Sequence, residues 1–368
     1  MTTIKRMLPD ISRINDTNGI LNFNLTKINH SFVNALRRTI LSDIPVPVFV
    51  TTPYEANNCD ITVNTSRLNN DILKQRLSCI PIHIKDFEGI ENLQVEVDVE
   101  NTTESFIYVT TKDFKIKDLA TDKYLTNTDK IFPPDPFTKD YILFNRLRPS
   151  ISKNIPGEKL AFTCKISISN ASINGAFNTV STCTYSFEDD VKLQNKKWEE
   201  HRKTLDSTAA EEKIEKKNWF LHHAKKYYLK NSFNFIVESL GVFDNAELIK
   251  KACSIITTRL DVLKTSINNS NVISPSKTTL DNSYDIILKN EDYTIGKIIE
   301  YVLFEDYYNK GNELMYVGFS KKHPHDTDSV IRIAFRDDND SDIDNVKTIF
   351  NHAIEQCTVI IANISDTF

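Results

Sequence analysis

Four residues near the C-terminus carry side chains that could hold a metal ion. His323, His325, Asp326 and Asp328 lie close together in the chain, and imidazole and carboxylate groups are ligands for zinc and other transition metals. Such a site would indicate a metal-dependent hydrolase. Pro324 and the polar residues around it are instead typical of a loop. We therefore predict no metal and no other cofactor, and keep the hydrolase as an alternative.

The sequence lacks the motifs of many common enzymes. It contains no G-x-S-x-G, H-E-x-x-H, G-x-G-x-x-G or Walker loop, and only 8 glycines in 368 residues, which disfavours phosphate-binding loops. The six cysteines include no C-x-x-C pair, which argues against a cysteine-rich zinc site and a disulfide framework and favours an intracellular protein. We predict that the protein is not an enzyme and has no catalytic residues.

Two charged segments could contact partners. Arg37 and Arg38 are either solvated on a helix or form bidentate contacts with carboxylates of another protein. Residues 188–230, rich in Lys and Glu around Trp198 and Trp219, are either a basic, aromatic surface for nucleic acid or a solvated helical excursion. The net charge of -5 argues against charge-driven nucleic-acid binding. We predict the excursion, and a nucleic-acid-binding transcription factor remains an alternative.

Two distant segments repeat one helical pattern. Apolar residues occur at i, i+3, i+4, i+7 and i+8 in both 31–42 and 294–304. A capping residue begins each helix, Ser31 in the first and Asp292 or Thr294 in the second. Both stripes are too apolar to face water, so we predict that the two helices pair within the chain. The predicted internal interface comprises Phe32, Leu36, Ile40, Ile295, Ile298, Ile299, Val302 and Leu303.

The remaining pattern predicts an α+β fold. Alternating apolar residues indicate strands near 93–99 and 160–168, and the C-terminal part shows the order β-α-β-β-α, typical of helices on one face of an antiparallel sheet. No stretch is long and apolar enough to span a membrane. The predicted domains are a first dimerisation module at 1–47 and 146–265, an inserted, mainly β lobe at 48–145, a linker at 266–282, and a second dimerisation module at 283–368.

Several motifs resemble those of multisubunit DNA-dependent RNA polymerases. Residues 34–45, NALRRTILSDIP, resemble the alpha motif found in the bacterial alpha chain, in archaeal D and in the third-largest subunit of eukaryotic polymerase II. Residues 76–82, RLSCIPI, are similar to another segment of the archaeal and eukaryotic members, and 147–149 with 176–180 resemble their later sheet.

The C-terminal part resembles a different polymerase subunit, archaeal L or the eleventh subunit of polymerase II. The matching segments are EDYTIG at 291–296, VGF at 317–319, His323-Pro324 and IRI at 331–333. The two subunits are separate chains in cells and look fused here, as in the polymerases of large nucleocytoplasmic DNA viruses. The cysteine cluster that binds zinc or an iron–sulfur cluster in some relatives has no counterpart, and Tyr293 and Lys297 replace the usual His and Asn.

The resemblance implies a non-catalytic assembly-platform subunit, an intramolecular pseudo-heterodimer of two alpha-like modules. The implied partners are the two largest polymerase subunits, contacted through Asn34, Arg37 and Arg38, and small zinc-binding polymerase subunits. It implies neither specific nucleic-acid binding nor membrane association. The implied location is intracellular, in a virion or in a viral factory in the host cytoplasm.

Overall fold

The computed structural model describes residues 8–152, 155–205, 208–269, 272–337 and 341–368. They form the predicted α+β fold, with helices among antiparallel sheets. The helices are α1 (His30–Ser42), α2 (Asn70–Ser78), α3 (Thr128–Ile131), α4 (Val191–Arg202), α5 (Ala209–His222), α6 (Asn245–Asn269), α7 (Tyr293–Leu303) and α8 (Ile343–Ser365).

The strands fall mostly where apolar residues alternate with polar ones. They are β1 (Asp10–Thr17), β2 (Ile20–Thr26), β3 (Val46–Val48), β4 (Cys59–Asn64), β5 (Leu93–Glu100), β6 (Ile107–Thr110), β7 (Lys115–Asp118), β8 (Lys123–Tyr124), β9 (Leu143–Leu147), β10 (Lys159–Lys165), β11 (Ser167–Ser169), β12 (Val180–Asp189), β13 (Tyr228–Ser239), β14 (Ile273–Pro275), β15 (Ser283–Leu288), β16 (Leu314–Ser320) and β17 (Ser329–Phe335).

The chain divides into two compact units. Unit A contains the residues up to 40 together with 182–238 and 245–368, and unit B contains 41–181 with 239–244. Both units are discontinuous in sequence, because unit B is inserted between the end of α1 and the body of β12.

Unit A contains two four-stranded sheets with the same topology. Their strand orders are β1-β2-β13-β12 and β14-β15-β17-β16. In each, the second strand leads into a shorter helix, α1 or α7, and the last strand along the chain leads into a long helix, α6 or α8. The same path, two strands, a helix, two strands and a helix, therefore occurs twice.

The stretch predicted as a linker, 266–282, contains regular structure. Helix α6 continues to Asn269 because Ile267, which is fully buried, extends its apolar stripe. Residues 273–275 form β14 and pair with β15. The polar composition of this stretch gave no periodic signal for the end of α6 or for β14.

Unit B consists of the sheet β4-β10-β5-β7-β8 and the two-stranded pairs β3-β11 and β6-β9. Strand β10 pairs with β4 on one side and with β5 on the other. Unit B thus extends past the predicted boundary at 145, which separated β10 from β4 and β5. The alternation of Leu160, Phe162 and Cys164 indicated a strand, but it carried no information about which strands lie beside it.

Candidate pairing and assembly site

Helix α1 presents a continuous apolar stripe to the interior of unit A. Phe32, Ala35, Leu36 and Ile40 are fully buried. Asn29 precedes the helix, and its Oδ1 accepts a hydrogen bond from Ser31 N at 2.9 Å. The prediction that Ser31 caps the helix was therefore wrong by two positions, since His30 already begins α1.

Helix α7 begins at a predicted cap. Asp292 precedes the helix, and its Oδ1 accepts from Thr294 N at 2.8 Å. Gly296 lies one turn further along, and a Cβ atom added there would lie 2.0 Å from Phe319 Cε2 on β16. The glycine therefore lets α7 lie close to its own sheet, which links the EDYTIG and VGF segments physically.

All eight residues of the predicted internal interface are fully buried. The two helices meet at opposite ends: the Phe32 ring, near the start of α1, lies perpendicular to the Tyr301 ring, near the end of α7, at 6.1 Å between centroids. Arg38, towards the end of α1, reaches the start of α7. The helices thus run antiparallel. The eight buried residues are Phe32, Leu36, Ile40, Ile295, Ile298, Ile299, Val302 and Leu303.

A cluster of charges lies where α1 and α6 approach the start of α7. Arg38 Nη2 donates to Asp292 Oδ2 at 2.5 Å, and Arg38 Nε donates to Thr294 Oγ1 at 2.9 Å. Arg259 of α6 donates to both carboxylate oxygens of Glu291, at 2.5 and 3.2 Å. We call Arg38, Arg259, Glu291 and Asp292 the charged seam.

The surroundings of Asp292 in the charged seam favour its ionised form. Burial opposes ionisation of Asp292, but the hydrogen bonds from Thr294 and the charges of Arg38 and Arg259 hold the pKa of this carboxyl below its ordinary value. The arginine side chains are partly exposed, 40% for Arg38 and 24% for Arg259, whereas Glu291 is 10% exposed. The bidentate Arg259–Glu291 pair is therefore the more enclosed of the two ion pairs.

The long helices α6 and α8 make an extensive contact along their length. Lys264 Nζ lies 2.8 Å from Glu355 Oε1, and Asn351 Nδ2 donates to Asn268 Oδ1 at 2.9 Å. These pairs run in opposite directions along the two helices, which are therefore antiparallel, like α1 and α7. We did not predict this contact, although both apolar stripes are visible in the sequence, because a stripe identifies a buried face and not its partner.

The predicted partner-binding residues occupy the half-buried side of α1. Arg37 Nε and Nη2 both donate to Asn34 Oδ1, at 3.1 and 2.9 Å, one turn earlier on the same helix. Arg38, in contrast, contributes to the charged seam. The two adjacent arginines thus have different surroundings, as expected from the 100° turn between neighbouring helical positions.

A cavity of about 710 Å³ lies in unit A at the start of α1. Ile28, Asn29, Phe32, Tyr301 and Ile360 contribute to its wall. The charged residues around it are Lys27, Glu188, Lys230 and Lys310.

The histidine cluster lies in an exposed loop, and hydrogen bonds within residues 323–326 hold this loop together. His323 N donates to Asp326 Oδ2 at 3.0 Å, and His325 N donates to His323 Nδ1 at 3.2 Å. Asp328 Oδ1 accepts from Asn290 N at 2.9 Å. Among the described residues there is no group of three or more His, Cys, Asp or Glu side chains that could hold a metal ion.

Helices α4 and α5 pack against each other and share a small core. Trp198 and Trp219 are only 2% and 5% exposed and pack together with Ala224. The predicted helical excursion is therefore present in the structure. The alternative of a stacking surface for bases does not fit these two tryptophans, because stacking requires exposed ring faces. Within the described parts of the chain, no helix is long and apolar enough to cross a bilayer.

Unit A thus combines two sheets of identical strand order with two antiparallel helix pairs, α1 with α7 and α6 with α8. The sequence matches the RNA polymerase Rpb3/Rpb11 dimerisation domain over residues 22–260. The chain belongs to this family of polymerase subunits. The match runs from β2 into α6 and leaves the second sheet outside it.

The chain is also similar to a conjugation stage-specific protein of Tetrahymena thermophila. The two sequences are 23% identical over 294 residues, which is 68% of this chain and 92% of the relative.

Proposed function

We propose that this chain is a non-catalytic assembly subunit of a DNA-dependent RNA polymerase and that it supplies both members of the family's dimer. One observation carries the proposal: unit A contains two sheets of the same strand order whose helices pair antiparallel, α1 with α7 and α6 with α8. A first module built on β1, β2, α1, β12, β13 and α6 then pairs with a second module built on β14–β17, α7 and α8.

Fusion has a simple physical benefit in this proposal. Two separate subunits must meet at their cellular concentrations, whereas two modules on one chain pair at an effective concentration of order mM when the connection between them is short. Here only residues 270–272 separate α6 from β14. Dilution cannot separate the modules.

The proposed partners are the two largest polymerase subunits, with small zinc-binding subunits completing the assembly. Asn34, Arg37 and Arg38 are the proposed contact residues on α1. Arg37 is the most useful of them to test, because it bonds only within its own helix among the contacts described above, whereas Arg38 also pairs with Asp292.

The proposal extends to the source of the polymerase. Its basis is the joining of two modules in one chain, the arrangement for which the sequence resembles polymerases of large nucleocytoplasmic DNA viruses. We propose that the polymerase is virus-encoded and acts in the virion or in a viral factory in the host cytoplasm.

The test is co-purification of polymerase subunits with the tagged full-length chain from its native source. We expect the two largest subunits to be recovered with the wild-type chain. The Arg37→Glu variant should fold normally, because substitutions at partly exposed positions usually change stability by within ~0.5 kcal/mol, but should recover much less of the large subunit that α1 contacts. Reversed charge would face a partner carboxylate across the interface.

Lys250→Glu is the matched control, since Lys250 is an exposed cation on α6. This variant should recover the large subunits at the wild-type level. Failure of the wild-type chain to recover any polymerase subunit would overturn the proposed function. Normal recovery with Arg37→Glu would overturn only the assignment of α1 as the contact.

A further inference from the structure

Because the two sheets of unit A have the same strand order, each residue of the charged seam has an equivalent position in the other set of strands and helices. Aligning the apolar stripes of α1 and α7 pairs Phe32 with Ile295 and Leu36 with Ile299. The same alignment pairs Arg38 with Tyr301 and Asn29 with Asp292. Aligning the stripes of α6 and α8 pairs Ala252 with Ala353 and Leu260 with Ile361, and therefore Arg259 with Ile360.

These equivalences place the charged seam opposite an uncharged one. The counterparts of Arg38, Arg259, Glu291 and Asp292 are Tyr301, Ile360, Ile28 and Asn29, and all four line the cavity at the start of α1. We call these four residues the neutral seam. Both seams lie where the end of one short helix meets the start of the other.

We propose that the charged seam makes pairing heterotypic, so that the first module pairs with the second and not with a copy of itself. This inference rests on the proposed two-module function. Arg38 and Arg259 come from the first module, and Glu291 and Asp292 come from the second. Only the first-with-second arrangement gives one seam with two cations and two carboxylates, and a second seam whose four equivalent residues are all uncharged.

Pairing of like modules removes the ion pairs that these partly buried charges form in the charged seam. Two first modules would place Arg38 and Arg259 against Ile28 and Asn29 at both seams, and Lys27 and Lys230 at the edge of the cavity would add like charge. Two second modules would place Glu291 and Asp292 against Tyr301 and Ile360. The second module contributes one cation near the cavity, Lys310, which lies 4.0 Å from Asp306.

The test uses two full-length variants that are incompatible with themselves and complementary to each other. Arg259→Glu places two carboxylates at positions 259 and 291, and Glu291→Arg places two guanidinium groups there. Each variant alone should form mixed oligomers with a melting temperature several degrees below wild type. An equimolar mixture refolded together should form a 1:1 dimer with near wild-type stability, because each first module then meets a complementary second module.

Combining both substitutions in one chain should restore the monomer. Sedimentation velocity and native mass spectrometry report the species, and thermal unfolding reports the stability. The proposal is overturned if the mixture behaves as the sum of its components, or if both single variants remain monomers of wild-type stability.

Arg332 and Asp285 supply the matched control, because they form a bidentate ion pair of 2.6 and 2.8 Å within the second module. Arg332→Glu and Asp285→Arg should each lower stability, and mixing them should restore nothing, since both partners lie on neighbouring strands of one sheet. If mixing Arg332→Glu with Asp285→Arg restored wild-type stability, the assignment of heterotypic pairing to the charged seam would be overturned.

Neutral variants cover the case in which reversed charges prevent folding. Arg259→Gln and Glu291→Gln should each reduce the monomer fraction at high protein concentration, and the double variant should reduce it no further, because either substitution alone already removes the ion pair that favours first-with-second pairing. Strict additivity of the two substitutions would overturn the proposal. These readouts concern the isolated chain, so they are independent of whether polymerase subunits co-purify.

Discussion

Thr39 is buried on α1, yet its hydroxyl has no hydrogen-bond partner among the described residues. Its counterpart on α7 is Val302. Because burying an unpaired hydroxyl is unfavourable, Thr39→Val, which keeps the shape, should raise the free energy of unfolding by about 1 kcal/mol. Urea denaturation measures the change.

Thr294→Val is the control for that substitution. Thr294 is also buried, but its Oγ1 accepts from Arg38 Nε at 2.9 Å. This variant should lower the free energy of unfolding by roughly 1–2 kcal/mol, since a hydrogen bond to a charged group is lost. Equal effects of both substitutions would contradict the assignment of hydrogen bonds at these two threonines.

The carboxyl of Asp292 predicts a specific acid dependence. Its pKa is lower in the folded chain than in the unfolded chain, so its contribution to stability is present above the unfolded value near 3.8 and is lost as the pH falls through the lower folded pKa. Asp292→Asn should lower the free energy of unfolding at pH 7 by about 1 kcal/mol, and the difference from wild type should disappear in strong acid.

Asparagine caps helices as well as aspartate does, so this variant isolates the charge. Asp292→Ala should lower the free energy of unfolding by about 1 kcal/mol more than Asp292→Asn at every pH, because the hydrogen bond that Thr294 N donates to the cap is also lost. A difference between wild type and Asp292→Asn that persists unchanged below pH 3 would show that the carboxylate is not stabilised by its ionised state.

At the scale of elements, the contact of α7 with β16 depends on Gly296. A methyl group there would overlap Phe319, whose ring is held by Tyr293 at 5.0 Å and by Lys297 at 5.7 Å. Gly296→Ala should therefore destabilise the chain by about 1–3 kcal/mol, despite a gain in helix propensity of about 1 kcal/mol. Chemical denaturation measures the loss.

Phe319→Leu in the same chain should recover part of that loss, because the smaller side chain makes room for the methyl group. Gly175→Ala is the control: an added Cβ there meets nothing within 4 Å. If Gly296→Ala were as harmless as Gly175→Ala, the close approach of α7 to its sheet would be refuted.

Local pattern predicted most elements of the second module and few of their contacts. Strand β15, helix α7 and helix α8 follow from periodicity and capping residues. The pairing of Arg38 with Asp292 could not be derived in that way, since the two residues are 254 positions apart. The repeated helical pattern was the available signal, because antiparallel pairing of two equivalent helices brings the end of one to the start of the other.

At the scale of the whole molecule, units A and B have separate cores. Phe114 lies at the centre of the core of unit B, with its ring 5.5 to 5.8 Å from those of Phe132, Phe144 and Phe162. Phe114→Ala should destabilise unit B by about 3–5 kcal/mol. Hydrogen exchange should show lost protection within 41–181, with the amides of α6 and α8 little changed.

The complementary variant is Phe350→Ala, which removes a fully buried ring from α8 in unit A. Hydrogen exchange should show that the backbone amides of unit A lose protection, whereas the amides of β5 and β10 stay protected. Equal loss of protection across both units after either substitution would mean that the chain unfolds as one cooperative body.

The division into units illustrates why domain boundaries were harder to predict than elements. The prolines at 133, 134 and 136 suggested a boundary near 145. Strand β10 nevertheless belongs with β5, because Phe162 lies opposite Val97 in the register of that pair. Such long-range pairing depends on how whole strands fit together and leaves no mark in a short window of sequence.

The pairing of β3 with β11 affects how the chain folds during its synthesis on the ribosome. Val46 lies opposite Ser169, and Ser172 N donates to Ser42 O at 2.9 Å, so the chain returns next to the place where it left α1. Folding of unit B therefore shortens the loop that must close before β2 can pair with β13. The first sheet can form while the ribosome is still synthesising the C-terminal residues. At about 5–20 residues per second, α8 follows α6 by about 5 to 20 seconds. During that interval the face of α6 that will pair with α8 stays uncovered, until the rest of the same chain has been synthesised.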